Sequence, residues 1–325
     1  MSMIDGKTDS IDVVVVEIER MTSDVLSYSL APVDGGDLPP FSAGAHVDVH
    51  LPNGLRRRYS LCNSPRENKR YQIAVKREGL SSGGSAYLHD FVAVGSRLSI
   101  GAPRNDFPLN LSADSHLLLA GGIGITPMIS MAADLLDLGA NFQLEYFVRS
   151  REYEAFGALL GREPYAGRVR IHRGMTGSES AEYLEGRLRE QAPGQHLYVC
   201  GPQGFIQAVV GATQHWPADT VHVEAFGASA PAASKGDQPF NVRLERSGRL
   251  VHVAADRSMY QALQESGVTL DACCLQGICG VCALKVLEGS PDHRDTYLSE
   301  AEQASGVIVM PCVSRSKTPV LVLDL

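Results

Sequence analysis

Five of the chain's seven cysteines lie near the C-terminus, and the spacing of four of them constrains the fold more than any other feature. Cys274, Cys279 and Cys282 are separated by gaps of four and two residues, and Cys312 follows further along the chain. This C-x4-C-x2-C…C spacing is typical of a plant-type [2Fe–2S] centre held by cysteine thiolates. Such a centre moves single electrons, so we expect the rest of the chain to supply or accept them.

A zinc site is the main alternative for these cysteines. Zinc usually prefers paired C-x2-C knuckles, and this sequence has one such pair, Cys279 and Cys282. Cys273 is interpreted as a non-ligand, because a shift by one residue would spoil the four-residue gap. Gly277 and Gly280 would let the loop turn sharply around the metal without a Cβ clash. The spacing therefore favours the iron–sulfur cluster.

Length and charge narrow the class of protein. A chain of 325 residues is too long for one ordinary core, so two or three domains are expected. The net charge of -8 argues against a nucleic-acid or anionic-membrane partner. The N-terminus has no signal-peptide pattern, and the apolar runs Val13 to Val16 and Leu117 to Ala120 are too short to span a bilayer. Seven clustered cysteines favour metal ligation in a reducing cytoplasm.

Three patterns of hydrophobicity follow one another along the chain. Residues 10–110 contain short segments with apolar side chains at every second position, such as His46 to Leu51 and Tyr71 to Lys76, which predict an antiparallel β-barrel. From Ser115 onwards strands alternate with helices, which predicts a doubly wound parallel α/β domain. The predicted elements are strand His116 to Ala120, helix Met128 to Leu138, strands Phe142 to Val148, Val169 to His172 and Leu197 to Cys200, helix Gln203 to Trp216 and strand Val221 to Phe226.

A small, polar segment at 227–239 is interpreted as a linker. Beyond it, Phe240 to Glu245 and Leu250 to Ala254 predict a hairpin, and a short helix follows from about Ser258. The last strand is expected over Val320 to Leu325. Asp292-His293-Arg294-Asp295 is interpreted as a solvated turn rather than a metal site, and the histidines, among them His46 and His50, form no catalytic constellation.

The whole chain resembles the phthalate dioxygenase reductase family, the class IA reductases of Rieske oxygenases. The resemblance implies an FMN-binding barrel over residues 1–110 and an NADH-binding α/β domain over residues 111–226. After the linker at 227–239, it implies a β-grasp-like plant-type ferredoxin domain over residues 240–325, with cluster ligands Cys274, Cys279, Cys282 and Cys312.

The same resemblance assigns a flavin site in the barrel. The run Arg57-Arg58-Tyr59-Ser60 looks like the family's R-x-Y-S signature. Arg57 would contact the phosphate, Tyr59 would lie against the ring, and Ser60 would sit near the reacting N5. Two further segments complete the expected site: Ala74, Val75 and Lys76 beside the ring, and Gly83, Gly84 and Ser85 as a phosphate cradle at a helix N-terminus.

The expected nucleotide site uses loops at the ends of the parallel strands. Gly121, Gly122, Gly124, Thr126 and Pro127 belong to a glycine-rich turn between a strand and a helix, where a pyrophosphate is expected. By resemblance, Thr126 reaches toward flavin and nicotinamide. The remaining expected contacts with the cofactors are Cys200, Gly201 and Pro202 at the nicotinamide, Glu224 near it, and Phe226 over the flavin.

The segment after the second strand of the α/β domain leaves the choice between NADH and NADPH open. An acidic residue after the second strand would favour NADH, but this chain has Arg149, Ser150 and Arg151 there. The family implies NADH, whereas these residues would also accept the phosphate of NADPH.

The resulting hypothesis is a reductase that passes electrons from NADH through FMN to the cluster, and from there to a Rieske-type terminal oxygenase. The oxygenase would be a ring dioxygenase or an O-demethylase of aromatic catabolism. One alternative is a stand-alone NAD(P)H diaphorase that reduces small acceptors. Another is a non-catalytic iron–sulfur redox sensor or a zinc-stabilised binding module. A cytoplasmic monomer is expected.

Overall fold

The computed structural model describes residues 10–79, 83–226, 237–270, 277, 280, 282–295 and 297–325. They form two compact units, of which the first extends to Pro202 and also includes Thr220–His222. The second unit comprises Gln203–Asp219 and the chain from Val223 to the C-terminus. Among the residues described, no helix is both long and apolar enough to cross a membrane.

The first part of the chain forms a six-stranded antiparallel barrel. Its strands have the order β4-β3-β6-β1-β2-β5, and an antiparallel bridge between Leu61 and Ile73 joins the two edge strands. This closure leaves no exposed edge between β4 and β5. The elements are β1 (Ser10–Arg20), β2 (Val25–Pro32), β3 (His46–His50), β4 (Arg56–Ser60), β5 (Tyr71–Lys76), α1 (Gly84–Phe91) and β6 (Arg97–Gly101).

A five-stranded sheet follows, and the three strand pairs that join β10, β7, β8 and β9 are parallel. Its strand order is β11-β10-β7-β8-β9, with the reversal next to β7 that a doubly wound sheet requires. The elements are β7 (Ser115–Gly121), α2 (Ile125–Asp137), β8 (Phe142–Val148), α3 (Gly157–Leu160), β9 (Val169–Arg173), α4 (Gly177–Arg187), β10 (Gln195–Gly201), α5 (Gln203–Ala212) and β11 (Val221–Ala225).

Local sequence explains where several helices begin and end. Thr176 caps α4 by accepting from the Glu179 backbone N–H, while the Glu179 side chain accepts from the Thr176 backbone. Helix α2 ends before Gly139, whose φ of 66° is the left-handed conformation that glycine adopts without strain. Helix α5 is shorter than predicted, since a turn bonding the Trp216 N–H to the Thr213 carbonyl replaces its last helical turn.

The barrel and the parallel sheet share one apolar core within the first unit. Cys62 and Ala74 from the barrel belong to the same buried cluster as Ile125 and Met128 of α2. Phe107, in the connection between the two folds, is part of it as well. Apolar packing therefore fixes the position of α2 relative to one face of the barrel.

The C-terminal fold in the second unit is a mixed sheet with two short helices. Strand β12 is parallel to β18 and antiparallel to β13, and the strand order is β13-β12-β18-β14-β16. The elements are β12 (Phe240–Leu244), β13 (Leu250–Val253), α6 (Met259–Glu265), β14 (Leu284–Glu288), β15 (Pro291–Asp292), α7 (Glu300–Ser305), β16 (Ile308–Val309), β17 (Arg315–Ser316) and β18 (Val320–Leu323). The predicted fold class, with its barrel, parallel α/β sheet and β-grasp-like domain, is confirmed.

The interpretation of residues 292–295 as a solvated turn is wrong. The Asp295 side chain is buried and accepts hydrogen bonds from the Ser314 hydroxyl at 3.1 Å and the Leu298 N–H at 3.0 Å. Arg294 donates to both carboxylate oxygens of Asp237, at 2.6 and 3.0 Å. The segment is thus an internal polar network, since its charges find partners far away in sequence.

Candidate functional site

Arg57 and the start of helix α1 meet as the flavin prediction requires. A Cβ atom built on Gly84 would lie 2.6 Å from Arg57 Cγ and 2.7 Å from its Nε, so the arginine side chain lies directly across this glycine. Gly83, the N-cap of α1, has a φ of 94°. A guanidinium beside the free N–H groups of a helix N-terminus fits a phosphate group.

Ser60 and Tyr59 lie at the end of β4, beyond this cradle. The Ser60 side chain is buried, and its Oγ has no hydrogen-bond partner among the residues that the structure describes. Burial raises the pKa of Tyr59 to about 12, although Arg57 lowers it. Arg58 is paired with Asp106 at 2.9 Å. A buried hydroxyl without a partner fits a polar atom of a bound flavin, because such a group is costly when left unpaired.

The three predicted residues of β5 have different environments. Ala74 belongs to the core that the barrel shares with α2, whereas Val75 points into the core of the barrel. Lys76 is paired with Glu78 at 2.8 Å. Ser85, in the first turn of α1, accepts a hydrogen bond from the Glu78 N–H at 3.1 Å. Ala74 thus lies on the same side of the barrel as the nucleotide-binding fold.

The glycine-rich turn leads from β7 into α2. Gly121 ends the strand, Gly122 has a φ of 53°, and Gly122–Gly124 form a single 3₁₀ turn. Thr126 is buried in the first turn of α2, and its hydroxyl donates to the Ile123 carbonyl at 3.0 Å. Pro127 occupies the next position, where its missing N–H costs no helical hydrogen bond.

This turn is in contact with the end of β10. A Cβ atom on Gly124 would lie 2.2 Å from the Cys200 carbonyl oxygen and 2.7 Å from the Gly201 nitrogen. Only glycine therefore lets the two backbones approach this closely. Cys200 is fully buried, whereas Pro202 is exposed. The two loops predicted to hold the pyrophosphate and the nicotinamide form one surface at the carboxyl ends of adjacent parallel strands.

The segment after β8 lies at the same edge of the sheet. Arg149 is exposed and Ser150 is half-buried, and the following residues form a 3₁₀ turn. Below them Glu145 accepts hydrogen bonds from Tyr183 and Arg187, both at 2.7 Å, and lies 2.9 Å from His172. Burial alone would raise the pKa of Glu145, but these hydrogen bonds outweigh it and lower the pKa to about 2. The hydrogen bonds of Glu145 thus hold strand β8 in place close to its C-terminal end.

Two predicted residues belong to the second unit. Glu224 is half-buried in β11, and Phe226 follows the strand with 38% of its surface exposed. An exposed aromatic side chain is available to cover a ligand. Their roles at the nicotinamide and the flavin stay predictions.

The structure brings together two of the four predicted cluster ligands. Cys282 and Cys312 are buried, and their sulfur atoms are 3.2 Å apart. This separation is much longer than the roughly 2.05 Å of a disulfide, and only a small shift separates it from the spacing of two thiolates on one metal ion. Cys274 and Cys279 lie outside the described residues.

Both predicted loop glycines have the conformation that the turn needs. Gly277 and Gly280 have φ values of 70° and 76°. A Cβ on Gly277 would lie 2.5 Å from Val313, and one on Gly280 would lie 2.3 Å from the Tyr297 ring. At these two positions a side chain larger than that of glycine would clash with neighbouring residues.

The structure also reveals histidine environments that the sequence did not indicate. His46 is fully buried in β3, and neither ring nitrogen has a hydrogen-bond partner within the described part of the chain. His196 Nδ1 and His222 Nε2 are 2.9 Å apart. These arrangements depend on strand register and strand order, which the sequence does not specify.

Comparisons with known proteins show the family to which the chain is similar. Residues 242–317 match a family model described as a 2Fe-2S iron-sulfur cluster binding domain. The vanillate O-demethylase oxidoreductase of Pseudomonas putida is 45% identical over 318 residues, covering 97% of this chain and 100% of that protein. The phthalate dioxygenase reductase of Burkholderia cepacia is 42% identical over 308 residues, covering 94% and 95%.

A solved structure extends the similarity to the whole fold. It is described as phthalate dioxygenase reductase, a modular structure for electron transfer from pyridine nucleotides to [2Fe–2S]. The two chains are 40% identical, the TM-score is 0.67, and the match covers 98% of each.

Proposed function

This chain belongs to the oxygenase-reductase family that includes phthalate dioxygenase reductase and vanillate O-demethylase oxidoreductase, and we propose that it carries electrons from NADH through FMN to a [2Fe–2S] cluster. A terminal oxygenase would take the electrons from the cluster. Bound FMN would supply the conversion between a two-electron donor and a one-electron acceptor. The domain limits at residues 110, 226 and 240 are part of this proposal.

The contact between Gly124 and the Cys200–Gly201 peptide carries the proposal most directly. It joins two loops at the switch point of the sheet, where nucleotides bind in folds of this type. Helix α2 begins in this same turn and shares a buried apolar cluster with Cys62 and Ala74 of the barrel. A nicotinamide held by these loops would lie beside the barrel face that carries Ser60.

Each group of residues would have a distinct task. Arg57 and the N-terminus of α1 would hold the FMN phosphate, and Ser60 would donate a hydrogen bond to the flavin ring. Thr126 and Cys200 would orient the nicotinamide, and Phe226 would cover the ring until the nucleotide enters. Cys274, Cys279, Cys282 and Cys312 would hold the cluster.

An anaerobic NADH titration of the purified protein, followed by visible absorption and EPR, tests the electron path. We expect NADH to bleach the flavin bands and to produce the rhombic signal of a reduced [2Fe–2S] cluster. Cys282→Ser should weaken or abolish the cluster signal while NADH still bleaches the flavin. A colourless protein with full zinc occupancy would refute the proposal.

We further propose a Rieske-type oxygenase as the partner, a monomeric reductase, and the cytoplasm as its compartment. The support comes from relatives whose names denote dioxygenase and demethylase systems. Steady-state oxidation of NADH should rise severalfold when the matching oxygenase and its aromatic substrate are added. Equal NADH oxidation with and without an oxygenase would instead indicate a diaphorase. Parallel titrations with NADPH would test the preference for NADH.

A further inference from the structure

His46 lies directly opposite the predicted flavin contact Ser60. The two residues are partners in the antiparallel register of β3 and β4. Side chains of directly opposed residues leave the sheet on the same face, with Cβ atoms about 4.5–5.5 Å apart. Both side chains are buried, and neither the Ser60 hydroxyl nor the His46 ring has a hydrogen-bond partner among the residues that the structure describes.

This pair lies on the face of the barrel wall that points away from the barrel core. Val47 and Leu61, the next residues along each strand, belong to the barrel core, so His46 and Ser60 point the other way. Cys62 shares the orientation of Ser60 and packs into the core formed with α2. The pair therefore faces the nucleotide-binding fold, where a flavin ring would lie.

A path to solvent begins on the other side of His46. Its Nε2 atom is 3.9 Å from a carboxylate oxygen of Asp106, whose side chain is 63% exposed. Backbone hydrogen bonds between His46 and Arg104, at 2.8 and 3.0 Å, hold this segment against β3. Ser60, His46 and Asp106 thus form a row that leads from a buried position to the surface.

We propose that Ser60, His46 and Asp106 form a proton path between the flavin site and solvent, in which His46 is a positioning residue that acts through Ser60. The inference rests on the proposed function, because it needs a flavin beside Ser60. The path would have no part in hydride transfer from NADH. Its task would come afterwards, when the electrons leave for the cluster.

Electron and proton counts require that one proton leave the flavin for each NADH oxidised. NADH delivers two electrons and one hydrogen nucleus to N5 as a hydride. Once both electrons have passed singly to the cluster, that nucleus must leave N5 as a proton, so each NADH yields NAD⁺, two electrons and one proton. Ser60 Oγ would accept this proton and pass its own to His46, and Asp106 would release a proton to solvent. Because neither pair is within direct hydrogen-bond distance, a bridging water molecule would complete each step.

The surroundings of His46 keep its ring neutral and able to accept a proton. Burial lowers the pKa of His46 to about 4, and Arg58 adds to the effect. The ring would therefore hold the proton only briefly, and the negative charge of Asp106 would draw it outward. Four charged side chains face the ring: Arg58 from β4, Asp48 from β3, and Arg104 and Asp106 from the segment after β6.

His46→Gln in the holoprotein tests the proposal by stopped-flow spectroscopy. Reduction of the flavin by NADH should stay within about twofold of wild type, whereas the flavin-to-cluster step should slow by about tenfold or more and show a solvent deuterium isotope effect. His50→Gln is the matched control, since His50 lies on the same strand, half-exposed and opposite Arg56. It should leave both steps unchanged.

A second readout does not depend on turnover. In protein labelled with ¹⁵N-histidine, adding FMN to the apoprotein should shift the ring signals of His46, and Ser60→Ala should remove that shift. Should His46→Gln fail to fold, Asp106→Asn at the surface should still slow the flavin-to-cluster step. If His46→Gln folds and its flavin-to-cluster rate is unchanged, the proton path is overturned. If His46→Gln does not fold, an unchanged rate in Asp106→Asn overturns it. A wild-type protein whose flavin NADH cannot reduce would instead overturn the proposed function.

Discussion

Replacing Gly124 with alanine should damage the nucleotide site while leaving the flavin site intact. The added Cβ would lie 2.2 Å from the Cys200 carbonyl oxygen, 2.4 Å from its carbon and 2.7 Å from the Gly201 nitrogen. All three are backbone atoms, so no side-chain rotation can relieve the contact. The start of α2 or the end of β10 must move.

The size of that movement follows from the distances. Ordinary van der Waals contact begins at 3.4 Å, so the two backbones must separate by about 1.2 Å, the difference from 2.2 Å. A misplacement of about 1 Å at a reacting centre can cost about 100-fold in rate. Overpacking a rigid core costs about 1–3 kcal/mol, and backbone neighbours favour the upper end.

Rapid mixing with NADH under anaerobic conditions measures the effect as the rate of flavin bleaching. We expect Gly124→Ala to bleach about 100-fold more slowly than wild type, with FMN affinity unchanged. Two variants separate the causes. In Gly122→Ala the added Cβ would have no atom within 4 Å, but the residue has a φ of 53°, so this variant tests backbone strain alone. In Gly177→Ala the added Cβ would have no close neighbour and the residue has no positive φ, so this variant is the neutral control. A folded Gly124→Ala protein that bleaches at the wild-type rate would refute the close-approach argument.

Three other substitutions test the remaining polar networks. Arg57→Ala should weaken FMN binding by about tenfold or more in fluorescence titrations, with Gly84 and the helix N-terminus left as the remaining phosphate contacts. Glu145→Gln should lower the free energy of unfolding by about 3 kcal/mol at pH 7. That difference should shrink as the pH falls from 4.5 toward 2, because the Glu145 carboxylate then takes up a proton in the unfolded chain but stays ionised in the folded one; a constant difference in denaturant titrations would contradict it. Asp237→Asn removes one of the two carboxylates that pair with Arg294 and leaves Asp292, so thermal unfolding of the C-terminal domain should begin at lower temperature, and an unchanged transition would show that the pair with Asp237 contributes nothing.

Local sequence signals were sufficient for most of the fold. Strands β5 and β8 have the predicted limits, because alternating or continuous apolar residues end at polar residues in each case. Helix α6 begins after Ser258, whose hydroxyl accepts from the Gln261 N–H in a capping box. The cluster domain was recognisable because metal ligation imposes a fixed spacing, and the proximity of Cys282 to Cys312 agrees with it.

Contacts between segments that are far apart in the chain could not be predicted from the sequence. Asp292 to Asp295 looks like a polar turn until Asp237, 57 residues before Arg294, is placed beside it. The pairing of His46 with Ser60 likewise depends on register, and a shift by one residue would turn one of the two side chains to the opposite face. Charge and composition carry no information about such partners, because they do not depend on which strands are neighbours.

Helix α2 explains how the two predicted cofactor sites in the first unit can act together. Its first turn lies against the Cys200–Gly201 peptide, so it positions the nucleotide loops. Its residues Ile125 and Met128 belong to the same buried apolar cluster as Cys62 and Ala74 in the barrel wall. Hydride transfer requires that the reacting atoms be held about 3–3.5 Å apart. Exposed ion pairs are too weak to fix a distance this closely. The buried apolar core beneath α2 is close-packed and resists deformation, so it can set this distance. Met128→Ala in this core should therefore slow hydride transfer, although Met128 is not among the residues predicted to contact either cofactor.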